Sequence, residues 1–202
     1  MADLFDGWQE REPDWRIRLD KTFQDQLAQV ELSLQDFDFH AYSHFDFDHI
    51  GVANEVEGAT LIMQRGEYDA AFSDSASVFG YTPELYSTLK EGEQIIIDGE
   101  HDVFVDASVR LLPAFGHTPG HQVLYVELPQ TGPVILAGDL YVFRVGREQR
   151  RVLPIDNDSN QSIVSMERLE KFIEDTGSTL WIGHDMAQYN QAETAADVLT
   201  IH

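Results

Sequence analysis

The spacing of apolar and polar residues divides the chain into short alternating and helical segments. Thr22 to Glu31 carries Phe23, Leu27 and Val30 at helical spacing, which predicts a helix with those three side chains turned inward. Phe37, Phe39 and Ala41 alternate with Asp38, His40 and Tyr42, predicting a strand that runs directly into Ser43-His44. Ala59 to Gln64 is a continuous apolar run of strand length, and Glu67 to Phe72 reads as a short helix. Three strands follow, Ile95 to Ile97, Val103 to Val105 and Val109 to Leu112, separated by Asp98-Gly99 and Asp106-Ala107 turns. Gln122 to Leu128 and Pro133 to Ala137 form a hairpin across Gln130-Thr131-Gly132. Ser162 to Asp175 is the clearest helix. Ile163, Met166, Leu169 and Ile173 share one face, Ser162 is placed to cap the start, and Gly177 is placed to stop the end. Leu180 to Ile182 makes a last strand before Gly183-His184. Arg144 to Asn160 is the longest irregular stretch and reads as a surface loop, as does Asp74 to Thr88.

Strands and helices alternate in this order, so the expected class is α/β (α+β) with a mixed sheet. The first 20 residues are polar, with Trp15, Ile17 and Leu19 alternating, and read as one short strand or a tether; residues 21–202 read as one domain.

Composition narrows the function. The 202 residues include 13 Lys and Arg against 36 Asp and Glu, a formal charge of −23, which argues against nucleic acid and against an anionic membrane surface. With no cysteine, thiolate nucleophiles, disulfides and cysteine-held metals are excluded, so any metal must be held by His, Asp and Glu. The opening MADLFDGWQE lacks a basic and an apolar region, and no apolar run has the length of a membrane helix; the expected compartment is the cytoplasm.

The candidate chemistry sits at strand ends. Ser43-His44-Phe45-Asp46-Phe47-Asp48-His49-Ile50-Gly51 places four imidazole and carboxylate groups in six residues directly after a strand. Gly116-His117-Thr118-Pro119-Gly120-His121, Gly138-Asp139 and Gly183-His184-Asp185 each follow a strand in the same way. Neutral imidazole and carboxylate suit zinc, iron or manganese when no thiolate is present. For Ser43 to Gly51 the alternative is an acidic loop with incidental histidines, for His117 or His121 a structural histidine, and for Asp139 a helix cap. Ligand sites of open α/β sheets lie at strand ends, which favours reading the four together.

The ordered set SHFDFDHIG, GHTPGH, AGDLY and WIGHD resembles the metallo-β-lactamase superfamily, and most closely its N-acyl homoserine lactonase-like branch, from about Leu27 to about Gln188. The resemblance implies an αβ/βα sandwich of two mixed sheets flanked by helices, with two divalent metal ions, zinc first and iron or manganese as alternatives. His44, Asp46 and His117 would hold the first ion and Asp48, His49 and His184 the second, with Asp139 bridging. His121 would serve behind the ligands or in packing. Asp48 would orient a metal-activated water or carry its proton, and Tyr141 would donate to the substrate oxygen, or else pack as a buried aromatic.

The implied activity is hydrolysis of a lactone, ester or related small acyl substrate. A β-lactam, phosphotriester or thioester is the rival substrate, and a metal- or partner-binding homologue with little catalysis is the rival class. Two departures stand out. The family motif is HxHxDH, whereas this chain has Asp46 at the second histidine position; a carboxylate there adds negative charge and favours manganese or iron, unless it falls short and leaves the first site weak. The family's front strands have no evident counterpart, which would leave a sheet edge bare and predicts a homodimer with an apolar central contact.

Overall fold

The computed structural model describes residues 21–189. The expected tether at residues 1–20 lies outside the described residues. Helix α1, Phe23–Gln29, begins at Thr22, whose side chain and that of Asp25 cap each other's backbone N–H. Only Leu27 of its predicted apolar face is buried; Phe23 instead stacks on Phe37 with ring centroids 6.4 Å apart.

Strands β1 (Phe39–Ala41), β2 (Thr60–Gln64) and β3 (Gln94–Ile97) form a sheet that is parallel throughout, in the order β1-β2-β3. β2 is central, and its unbroken apolar run reflects burial on both faces. Leu61 and Met63 face a helical layer with Phe45, Ile50 and Tyr86, while Ile62 faces Leu111 of the opposite sheet together with Ile97. Helix α2, Arg65–Ala71, belongs to that first helical layer.

The second sheet runs β4 (His101–Asp102), β5 (Val109–Pro113), β6 (Gln122–Leu128), β7 (Gly132–Leu136), β8 (Thr179–Trp181). It is antiparallel except for the β7–β8 pair, and the expected β6–β7 hairpin is present with Leu128 opposite Gly132. Its outer face packs through Val123, Ile135 and Leu180 on Met166 and Leu169 of helix α4, Ser159–Thr176. The result is two sheets back to back with helices on both outer faces.

Four local expectations change. The stretch Asp74 to Thr88, expected as a surface loop, is a run of short helical turns that places Ala76, Tyr81 and Tyr86 in the core. The strand expected at Val103 to Val105 is a loop, with Val105 and Ala107 at φ 60° and 64°. The Asp102 carboxylate accepts the Ala107 N–H and Asp106 accepts that of Ser108, so side chains close the turn in place of a longer ladder. The loop expected over Arg144 to Asn160 contains helix α3, Arg144–Gln149, which ion pairs fasten: Arg144 to Asp185 and Arg147 to Glu170. Asp158, rather than Ser162, caps α4, its Oδ1 accepting the N–H groups of Asn160 and Gln161; Gly177 ends the helix in the left-handed region as expected. Among the described residues, no helix is long and apolar enough to cross a membrane.

Candidate metal centre

The chain leaves β1, β5, β7 and β8 at one edge of the sandwich. Ser43 to Ile50 follows β1, the GHTPGH loop follows β5, Gly138-Asp139 follows β7 and Gly183-His184 follows β8. Backbone bonds extend the sheets into this edge. Gln122 N–H donates to Ser43 O across the two sheets, and Ala137 N–H donates to Trp181 O. Gly116 adopts φ 134°, and a Cβ there would come within 2.3 Å of Ser162, so only glycine lets the His117 loop approach α4.

The structure brings the seven expected ligand residues together. Asp46 Oδ2 lies 3.4 Å from both His44 Nε2 and His117 Nε2. Asp139 Oδ1 lies 3.1 Å from His49 Nε2 and 3.2 Å from His184 Nε2, while its other oxygen is 3.8 Å from His117 Nε2. Asp48 Oδ2 lies 3.6 Å from His49 Nε2 and 3.7 Å from His184 Nε2. Two ligand atoms about 2.1 Å from one cation at a tetrahedral angle are themselves about 3.4 Å apart. The observed separations match that geometry. Donor atoms group as His44–Asp46–His117, as His44–His49–Asp139 and as Asp48–His49–His184, within 4.8 Å inside each group. His44, His49 and His117 Nε2 and Asp139 Oδ1 are buried without a hydrogen bond. Inward-facing donors of this kind, without hydrogen-bond geometry to one another, fit cation binding.

The opposite ring nitrogens are anchored. Ser43 Oγ lies 3.0 Å from His44 Nδ1 and 3.3 Å from His49 Nδ1, so its two lone pairs suit two Nδ1–H donors and leave both Nε2 atoms for a cation. His117 Nδ1 lies 3.0 Å from Asp156 Oδ1, and Asp156 also accepts from Ser162 Oγ at 2.6 Å. A carboxylate behind an imidazole fixes the ring and raises its basicity. His121 is fully buried, its Nε2 accepting the Asp139 N–H at 3.0 Å. Burial, with the fields of His44 and His117, keeps its pKa well below the usual value, so it stays neutral behind the centre. Asp156 and Ser43 were not among the candidates from sequence. Asp156 sits in a stretch without periodicity, and only its contact across 39 residues with His117 reveals it.

Tyr141 is placed elsewhere. Its side chain is 2% exposed within the core cluster of Val123, Ile135 and Met166, and its hydroxyl donates to Glu170 Oε1 at 2.9 Å. Burial, with the neighbouring Glu170, pushes its pKa up. The expectation that it faces a substrate is replaced by the alternative, a packed aromatic, because an apolar wall and Glu170 claim both ends of the side chain.

Electrostatics couple the donors. Burial disfavours ionised Asp46 and Asp139, but the imidazoles beside them, His117 and His44 for Asp46 and His184 and His49 for Asp139, outweigh it and hold both pKa values below the carboxylate range. Burial lowers the His117 pKa, yet its bond to Asp156 and the neighbouring Asp46 and Asp139 carboxylates carry it up to about 10. The protonated imidazole therefore stabilises the metal-free protein fully below pH about 6.5, and this contribution is lost as pH rises through about 10. In chelator the urea midpoint is expected to fall between pH 7 and 10, while metal affinity at the His44–Asp46–His117 group climbs over the same interval because a cation there must displace the His117 proton. A flat midpoint together with pH-independent affinity contradicts this.

Two cavities flank the centre. One of about 470 Å³ is walled by His49, Gly138, Leu124, Leu136, Trp181 and Ile182; another of about 370 Å³ is walled by Asp139, Leu140, Phe143, Val152, Leu153 and Met166.

A two-sheet sandwich with imidazole and carboxylate groups gathered at one edge defines a class of metal-centred proteins. The chain belongs to the metallo-beta-lactamase superfamily, whose family model matches residues 9–184. That match begins ahead of the segment in which the motifs lie. An N-acyl homoserine lactonase of Bacillus sp is 30% identical over 164 residues, covering 80% of this chain and 61% of the relative. The N-acyl homoserine lactonase AttM of Rhizobium radiobacter is 31% identical over 169 residues, with 80% and 63% covered. A solved N-acyl homoserine lactone hydrolase, with N-hexanoyl-L-homoserine bound at its catalytic metal centre, superposes with a TM-score of 0.74 at 28% identity, over 85% of this chain and 65% of that one. The chain thus spans a little over three fifths of the length of the curated relatives it matches.

Proposed function

We propose that the chain is a metal-dependent hydrolase of lactone or ester-type acyl substrates, similar in action to the quorum-quenching lactonases it resembles. The observation that carries this reading is the sharing of Asp139 between two donor groups, His44–Asp46–His117 and Asp48–His49–His184, at one sheet edge. Two divalent cations held there would supply Lewis acidity, acidifying water and polarising the carbonyl oxygen. Asp48, half-exposed beside His49 and His184, orients the attacking water and passes its proton to the leaving alkoxide. Asp156 and Ser43 keep the imidazoles aimed, and the apolar cavities on either side receive the acyl chain and exclude water. The test is metal analysis of purified protein together with hydrolysis of acyl homoserine lactones of graded chain length, followed by pH-stat. Two ions per chain and lactone turnover support the reading. Turnover of a β-lactam, phosphotriester or thioester instead redirects the substrate, and no turnover of any supports a binding protein.

Asp46 makes the two donor groups alike, each with two imidazoles and one terminal carboxylate. Manganese or iron is therefore the proposed occupant of the first group, because a harder donor replaces an imidazole. Asp46→His is expected to raise zinc affinity at this group about tenfold or more and to increase lactone turnover. Unchanged zinc content and rate would mean that Asp46 is adapted to its place. A homodimer that covers the β1 edge belongs to the same proposal, and light scattering against salt concentration tests it, since screening the charge of −23 should tighten the contact.

A further inference from the structure

The wall behind the first donor group contains a carboxylate that the reaction does not use. Glu67, in the first turn of α2, is fully buried. Its Oε1 accepts from Phe45 N–H at 2.9 Å and from the Tyr81 hydroxyl at 2.6 Å. Its Oε2 accepts from the Thr118 hydroxyl at 2.6 Å and from Gly120 N–H at 3.0 Å. Among the described residues no Lys or Arg pairs with it, so these four hydrogen bonds are what offsets its burial.

The donors are informative. Phe45 lies between His44 and Asp46, and Thr118 follows His117. One carboxylate therefore grips the two loops that carry the whole first donor group. The loop after His117 also presses against the start of α2: a Cβ on Gly120 would come within 2.1 Å of the Glu67 nitrogen, and one on Gly66 within 2.8 Å of Pro119 O. The backbones meet without side chains between them, so a change at Glu67 passes directly into the His117 loop.

Resting on the reading of His44, Asp46 and His117 as a metal site, we propose that Glu67 is a positioning residue that sets the separation of its two loops. The residue must be an acceptor on both oxygens, because Phe45 N–H and Gly120 N–H can only donate. A glutamine presents an amide NH₂ to one of these pairs and leaves a buried peptide N–H facing another donor. Aspartate is one methylene too short to reach both loops from the same backbone. No such strut from Glu67 reaches Asp48, His49 or His184, so the effect is largest at the first group.

The experiment titrates Co²⁺ into chelator-stripped protein, read by calorimetry and by the visible absorption bands that report coordination geometry. The native chain is expected to take up two Co²⁺ in separable steps. Glu67→Gln should weaken one step by about 10- to 100-fold and alter its bands, leaving the other step within about twofold. Thr118→Val should do the same more weakly, and Thr118→Ser, which keeps the hydroxyl, should restore native binding. If Glu67→Gln fails to fold, the Thr118 pair decides: a weakened valine variant with serine rescue supports the proposal, and a valine variant equal to native overturns it. Variants that lose resistance to urea while binding both ions as the native chain does would show Glu67 to be scaffold only. If the native chain takes up no Co²⁺, the metal reading fails and the proposal falls with it, an outcome distinct from native uptake of two ions that no variant changes.

Discussion

Asp139→Asn is expected to lower lactone hydrolysis about a thousandfold or more, equivalent to roughly 4 kcal/mol of transition-state stabilisation. Asp139 is the carboxylate that both donor groups share, 3.1 Å from His49, 3.2 Å from His184 and 3.8 Å from His117. Asparagine preserves the volume but removes the charge and replaces one oxygen by an NH₂ that cannot ligate. The backbone N–H of residue 139 still donates to His121 Nε2, so the loop keeps its anchor. The loss should therefore appear in metal content before it appears in folding. Metal analysis should fall below one ion per chain while circular dichroism is retained. A variant that holds two ions and hydrolyses at the native rate would remove Asp139 from the centre.

Phe45→Ala is expected to destabilise the fold by about 3–5 kcal/mol, a large part of the roughly 5–15 kcal/mol available to a domain. Phe45 is fully buried, and its ring packs against Tyr86, Phe72 and Tyr81 with centroids 4.6, 5.9 and 6.3 Å away. Its removal leaves a cavity under the segment that holds His44 and Asp46, so weaker cation binding should accompany the loss. Phe45→Leu, which refills most of the volume, should cost far less. Urea unfolding in chelator measures the stability term without the metal contribution. A loss below about 1.5 kcal/mol for the alanine variant would mean that the surrounding aromatics collapse into the space.

The short helices of the middle segment show why some local structure escaped the pattern. Helix α3 has no apolar face of its own; Arg144 and Arg147 hold it to Asp185 and Glu170, which lie 41 and 23 residues away. Such partners leave no trace in local periodicity. The loop at Val105 failed as a strand for the same kind of reason, since carboxylates of Asp102 and Asp106 captured the backbone N–H groups that a ladder would have used. Where burial is continuous, on both faces of β2 and along the β6–β7 hairpin and α4, the pattern alone located the element.

By itself the sequence determined the two-period alternation of strands and helices, the exclusion of thiolate chemistry, and the strand-end His and Asp motifs, because each is a matter of residue type and local spacing. Only the tertiary structure decided that Asp46 reaches His44 and His117, that Tyr141 turns into the core towards Glu170, and that Asp156 and Glu67 stand behind the site. These depend on distances between segments tens of residues apart, and such distances arise only when the two sheets pack and bring their strand ends to one edge.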